Sequence, residues 1–215
     1  MLYYSHMAKR IDHAARRQFI VERSMGLFAR LGYAKVSFLT ISEATGVART
    51  ALYRYFTTKR EIFDEAIHGC THAIKVSSAA IAVQPLPVPE RLNRVAVRVI
   101  DTLFERKQFL LAIYAFVIDM VRRGEDMRGR IAQFTGGLRE LFLRLLEEGA
   151  RRGDLSANVD PRLTSEVLFA LLESVVLRIL LGVERDAEKS KLRFSAMVRS
   201  IAGASTIKSK KEKGT

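Results

Sequence analysis

Residues 38–57, "FLTISEATGVARTALYRYFT", hold two short apolar-periodic segments hinged on Gly46-Val47. Ile41, Val47 and Leu52 fall where two short helices crossing at a steep angle need a shared core, and Gly46 falls at the tight turn between them. Ser42 is small, as the point of helix contact requires. This is helix-turn-helix spacing, in which the second helix offers its outer face to a DNA major groove. Arg49, Thr50, Tyr53 and Arg54 are then predicted to project outward. A guanidinium near the helix start reaches base edges, and Tyr and Thr hydroxyls suit phosphates. Lys59 follows in the first turn of the next helix, where free backbone N–H groups and the helix dipole attract a phosphate. The expected device is a groove reader followed by a backbone clamp.

The charge distribution agrees with an anionic partner. The 215 residues carry 36 Lys and Arg against 23 Asp and Glu, a formal +13. Residues 1–60 hold 11 basic and 3 acidic side chains, +8, and residues 205–215 hold 4 and 1, +3, so the rest is close to neutral at +2. Such an excess at the ends favours a polyanion. Hydrophobic residues make up 48% of the chain, enough for a substantial core. No apolar run reaches the length of a membrane span, the first residues show no charged-then-apolar secretory pattern, and the single Cys70 fits a reducing compartment. A cytoplasmic protein without membrane association is expected.

Working outward, Gly and Pro punctuate helical periodicity almost everywhere, and no strand pattern is convincing. The reading is all-α. A first helix is expected from an Asp12 N-cap to Gly32, a second from a Ser37 cap to Gly46, a third over Arg49 to Phe56, and a fourth from a Thr58/Glu61 capping box to about Val83. Prolines 85, 87 and 89 force a corner. Further helices are expected near 90–106, 108–123, 126–151, 161–182 and 187–203, with Asp160-Pro161 a clean start. The domains predicted are a three-helix DNA-binding domain at 8–57, a helical ligand-binding and dimerisation domain at 58–204, and a basic disordered tail at 205–215.

Residues 27–67, "LFARLGYAKVSFLTISEATGVARTALYRYFTTKREIFDEAI", resemble the N-terminal segment of TetR/AcrR-type bacterial transcriptional regulators. The resemblance rests on Gly32-Tyr33, Val36-Ser37, Ile41-Ser42, Gly46-Val47, Leu52-Tyr53-Arg54-Tyr55-Phe56 and Thr58-Lys59-Arg60-Glu61-Ile62. It implies Ser37, Arg49, Thr50, Tyr53, Tyr55 and Lys59 as DNA contacts, with Arg54 added from the helix face. The sequence departs from the pattern at Thr40, where an acidic residue is usual, at Ser42 and Thr45, which replace alanines, and at Ala48-Arg49-Thr50-Ala51. Without a Ser at 48 the third helix lacks an N-cap worth about 1 kcal/mol.

Other constellations are weaker. Asp64, His68 and His72 share a helical face at metal-ligand spacing, although a solvated face explains them as well, and no metal or cofactor is expected. Asp119, Glu173 and Arg178 interrupt apolar runs, which marks an interface network or the polar end of a cavity. Phe104, Tyr114, Ile118, Asp119, Phe142 and Glu173 form the candidate lining of a pocket that the resemblance, not the residues, implies. Helix 161–182 is apolar nearly all round, so one face is left for a partner. Together with helix 187–203 it is expected to build a two-fold four-helix bundle through Val176, Arg178, Leu180, Phe194, Met197 and Ile201, the place where the resemblance also puts the dimer.

The expected function is that of a homodimeric, sequence-specific regulator of transcription, a repressor released from a pseudo-palindromic DNA operator by a small, largely apolar effector. Two rivals are a basic protein that coats DNA without reading it and a helical enzyme. The second lacks a nucleophile-base pair, a Gly-rich phosphate loop or a metal quartet in its sequence, and no enzyme activity is expected.

Overall fold

The computed structural model describes residues 2–203, with side chains from His13 onward. Nine helices run through the described residues: α1 (Leu2–Leu31), α2 (Phe38–Thr45), α3 (Arg49–Leu52), α4 (Lys59–Ala82), α5 (Val88–Glu105), α6 (Lys107–Arg122), α7 (Arg128–Arg152), α8 (Pro161–Leu180) and α9 (Glu188–Ile201). The only strand-like pairing among them is an isolated bridge between Leu155 and Ala202. The helix α1 begins well before the expected cap, so Asp12 lies inside it. The tail at 205–215 lies outside the described residues.

Local chemistry explains most boundaries. Gly32 stops α1 with φ 75° and donates its N–H to the Phe28 carbonyl at 2.9 Å. Asp160 caps α8 by accepting from the N–H of Arg162 and Leu163, ahead of Pro161 at the first helical position. The corner at 83–87 separates α4 from α5.

The chain divides into two compact units. The first is Met1–Thr71 with Gln108–Met127, and the second is His72–Lys107 with Arg128–Thr215. The sequence reading ends the first domain at Thr57; the units instead divide within α4. The reason is aromatic: Phe109 and Phe116 of α6 meet Phe63 of α4 edge-on at 5.8 and 5.1 Å, and Phe116 also meets Tyr33 at 4.6 Å. Thus α6 is built into the core of the first unit. The second unit centres on Val95, Ile100, Phe142, Leu146, Leu168 and Phe194, all buried. Arg91, buried on α5, holds the Glu148 carboxylate of α7 and the Ala82 carbonyl at the end of α4.

Candidate nucleic-acid interface

The reading head is assembled from the turn outward. Ile41, Val47, Leu52 and Phe56 are buried together, the shared core that the spacing predicts. Gly46 takes φ 67° and returns its N–H to the Ser42 carbonyl at 2.9 Å. Two residues that depart from the familiar pattern lock this turn. The Ser42 hydroxyl donates to the Val47 carbonyl at 2.7 Å. The buried Thr45 hydroxyl donates to the Ile41 carbonyl at 2.7 Å and accepts from the Val47 N–H at 3.3 Å. Every polar group of the turn named here finds a partner in the chain itself.

A third departure has an equally plain use. Ser37 caps α2 by accepting from Thr40 N–H at 3.3 Å, and the Thr40 hydroxyl accepts from Ser37 N–H at 2.9 Å. Thr40 therefore completes a capping box in the place of an acidic side chain. Sequence reasoning missed this pairing, although the Ser-x-x-Thr spacing was there to find it. At α3 the expectation holds: Ala48 makes no side-chain cap.

The outer edge of the head carries Ser37, Arg49, Thr50, Tyr53 and Arg54, all exposed. Tyr53 is held by stacking on Phe38, with ring centroids 4.6 Å apart and planes 8° from parallel. Tyr55 is half-buried beside His13, at 4.6 Å between rings. Arg17 of α1 fixes the far end of α3, donating to the Tyr55 carbonyl, pairing with Glu61 and Glu65, and lying over the Phe56 ring at 4.0 Å. The Glu61 carboxylate also accepts from the Thr57 N–H, and that bond, ahead of Arg17, holds its pKa below the usual carboxylate value. The predicted Thr58 cap on Glu61 N–H is present at 3.2 Å.

Lys59, expected to clamp a phosphate, makes its contacts within the chain. Its ammonium points inward and donates to the carbonyls of Tyr33, Ala34 and Val36 at 2.9, 3.1 and 2.9 Å. It also lies 4.5 Å from the Tyr33 ring centroid. A lysine has three donors, and all three are engaged.

The candidate pocket residues fall in both units. Tyr114 and Ile118 are exposed on α6, and Asp119 pairs with Arg123 one turn on at 3.0 Å. In the second unit Phe104 is half-buried, Phe142 is a core residue beside Phe194, and Glu173 is exposed on α8, not a buried charge interrupting the core. Two open surface depressions of about 490 and 440 Å³ are lined by other residues. Asp64 pairs with Arg60, and among the described residues no group of His, Cys, Asp or Glu could hold a metal.

The candidate dimer residues also sort differently. Phe194 and Ile201 are buried in their own unit, because α9 turns that face onto α5 and α8. Arg178 is satisfied within the chain by the buried Glu184, which also takes Arg193. Val176, Leu180 and Met197 are half-buried. The exposed large apolar side chains of this region are Leu163, Val167, Leu177, Leu181 and Val183 on α8 and just past its end, and Leu192 on α9.

Residues 20–66 match the family described as bacterial regulatory proteins, tetR family. The chain is 24% identical to the HTH-type transcriptional regulator PksA of Bacillus subtilis over 206 residues, covering 95% of this chain and 98% of that protein. In fold it is similar to a TetR transcription regulator from Haloarcula marismortui, with a TM-score of 0.75 at 16% identity over 88% of this chain and 99% of that one. It is likewise similar to the ketosteroid transcriptional regulator KstR2 of Mycobacterium tuberculosis, with a TM-score of 0.62 at 17% identity over 87% and 95%. These relatives are regulators of transcription, not enzymes. With its head locked around Gly46-Val47 and the family match lying across that head, residues 20–66 form a DNA-binding head of the tetR-family type, and the chain is a DNA-binding transcriptional regulator.

Proposed function

We propose that this regulator is a homodimeric repressor that reads a pseudo-palindromic operator and is released from it by a small, largely apolar effector. The observation that carries the DNA-reading part is the outer edge of the head. Arg49, Thr50, Tyr53 and Arg54 are exposed on one segment whose opposite side, through Leu52 and Phe56, is fixed in the core. Arg49 at the start of α3 is the base reader, while Ser37, Thr50, Tyr53, Arg54 and Tyr55 serve the backbone. Four helical residues contact too few base pairs to select a site alone, so a two-fold dimer and a palindrome follow together.

The outward face of α8 and α9 supports the dimer. Leu177 and Leu181, one turn apart, and Leu192 on α9 are exposed apolar side chains, which a second copy covers by the same residues. Among the described residues no helix is long and apolar enough to cross a membrane, in keeping with a regulator acting on DNA in the cytoplasm. Effector binding then acts as a coupling between two sites, favouring a dimer whose heads no longer match the operator spacing. Native mass spectrometry of freshly purified protein tests the assembly and the effector in one experiment. A dimer mass with a retained small molecule fits the proposal, and a monomer at micromolar concentration contradicts it.

A further inference from the structure

We propose that Lys59 is a positioning residue of the reading head, a strut that fixes the entry of α2 instead of a contact to DNA phosphate. The inference rests on the DNA-binding activity established above and on geometry confined to the first unit. The segment between α1 and α2 has to bring Ser37 to the surface as the cap of α2, and three of its carbonyls, from Tyr33, Ala34 and Val36, converge on one ammonium.

The strut is anchored at both ends. At one, Lys59 opens α4, whose following residues Ile62 and Phe63 are fully buried. At the other, the Tyr33 ring lies under the ammonium and is wedged among Phe28, Phe63 and Phe116, at 6.0, 5.0 and 4.6 Å. Among the described residues no carboxylate pairs with Lys59, so its charge is met by carbonyl dipoles and a ring face. Burial accordingly lowers its pKa from the ordinary lysine value. A phosphate would have to displace three charge-assisted hydrogen bonds to reach it, and would collapse the loop that presents Ser37.

The test begins with the unmodified protein. Reductive methylation with formaldehyde and borohydride, read lysine by lysine by peptide mass spectrometry, is run on free protein and on protein saturated with operator duplex from a random selection. A strut reacts slowly in both states, while exposed Lys35 and Lys75 react freely in the free protein. Fast reaction in free protein that operator suppresses would overturn the proposal. The variant Lys59→Met, which keeps the stem and removes the charge, supplies a second reading. Hydrogen exchange in the free variant is expected to quicken over residues 33–41. Its operator affinity is expected to fall with the salt slope retained. Unchanged exchange with a slope shallower by about 0.9 in log K against log salt would mark a lost phosphate contact and overturn the strut. Should no operator emerge from the selection, the sequence-reading proposal fails, yet methylation and exchange of the free protein still decide the role of Lys59.

Discussion

Leu181 lies just past the end of α8, one turn from Leu177, and the two are 67% and 55% exposed in the single chain. Fully burying a leucine contributes about 1.5–3 kcal/mol, so covering the exposed two-thirds of Leu181 contributes about 1–2 kcal/mol. In a two-fold interface each residue counts twice, once from each copy. Truncation by Leu181→Ala is therefore expected to weaken the dimer by about 2–4 kcal/mol, a rise in dissociation constant of roughly 30- to 700-fold. Sedimentation velocity over a concentration series measures this directly. Leu181→Asp should be monomeric and lose operator binding although the head is untouched. Val83→Asp is the control: Val83 is 82% exposed at the end of α4, outside the proposed face, and its substitution should leave the dimer intact. If Leu181→Ala and Leu177→Ala both dimerise within threefold of the parent, the interface is not on α8, and the reasoning fails.

Three further outcomes are expected. Thr45→Val keeps the shape of the side chain but leaves the buried Val47 N–H without its acceptor, so it should destabilise the head by about 1–3 kcal/mol; chemical denaturation with an unchanged slope reads this, and no loss would show that the hydroxyl is dispensable. Acid should destabilise both units. Glu61 is held below the ordinary carboxylate value of 4.5 by the Thr57 N–H and Arg17, Glu148 by Arg91 and Arg152, and Glu184 by Arg178 and Arg193 against the opposing effect of its burial. A folded-state pKa below the unfolded one means that the unfolded chain binds more protons, so this stability is present above the ordinary value and is lost as pH falls through the folded values. Glu184→Gln should flatten that acid limb in a melting series from pH 6 to 3, and an identical slope would place the linkage elsewhere.

Caps and turns were legible in the sequence because their chemistry is local. Gly46 needs a positive φ, Ser37 and Asp160 need only the N–H groups two or three residues on, and the proline corner excludes a helix by itself. What the sequence withheld depends on facing. In α9 the periodicity marks Phe194 and Ile201 as apolar but not as inward, and on α8 apolar residues ring the helix, so the outward set of Val167, Leu177 and Leu181 could not be told from the inward set of Leu168, Leu172 and Val175. The partner of Arg178 lay in a connector, where Glu184 reads as an ordinary loop charge. The cradle of Lys59 is made of backbone carbonyls, which leave no trace in residue identity. The membership of α6 in the first unit was hidden as well, since Phe109 and Phe116 announce a core without saying which one.

The claim that α3 reads bases as half of a palindromic dimer is tested most directly by selection from random duplexes, carried out in parallel with the parent protein and with Arg49→Ala. The account predicts that the parent enriches a two-fold symmetric site whose affinity falls steeply with salt, and that Arg49→Ala relaxes preference at one symmetric pair of positions by about 1–3 kcal/mol while the other positions persist. Enrichment of no motif by the parent, or an Arg49→Ala protein that loses affinity equally for every sequence, would contradict it.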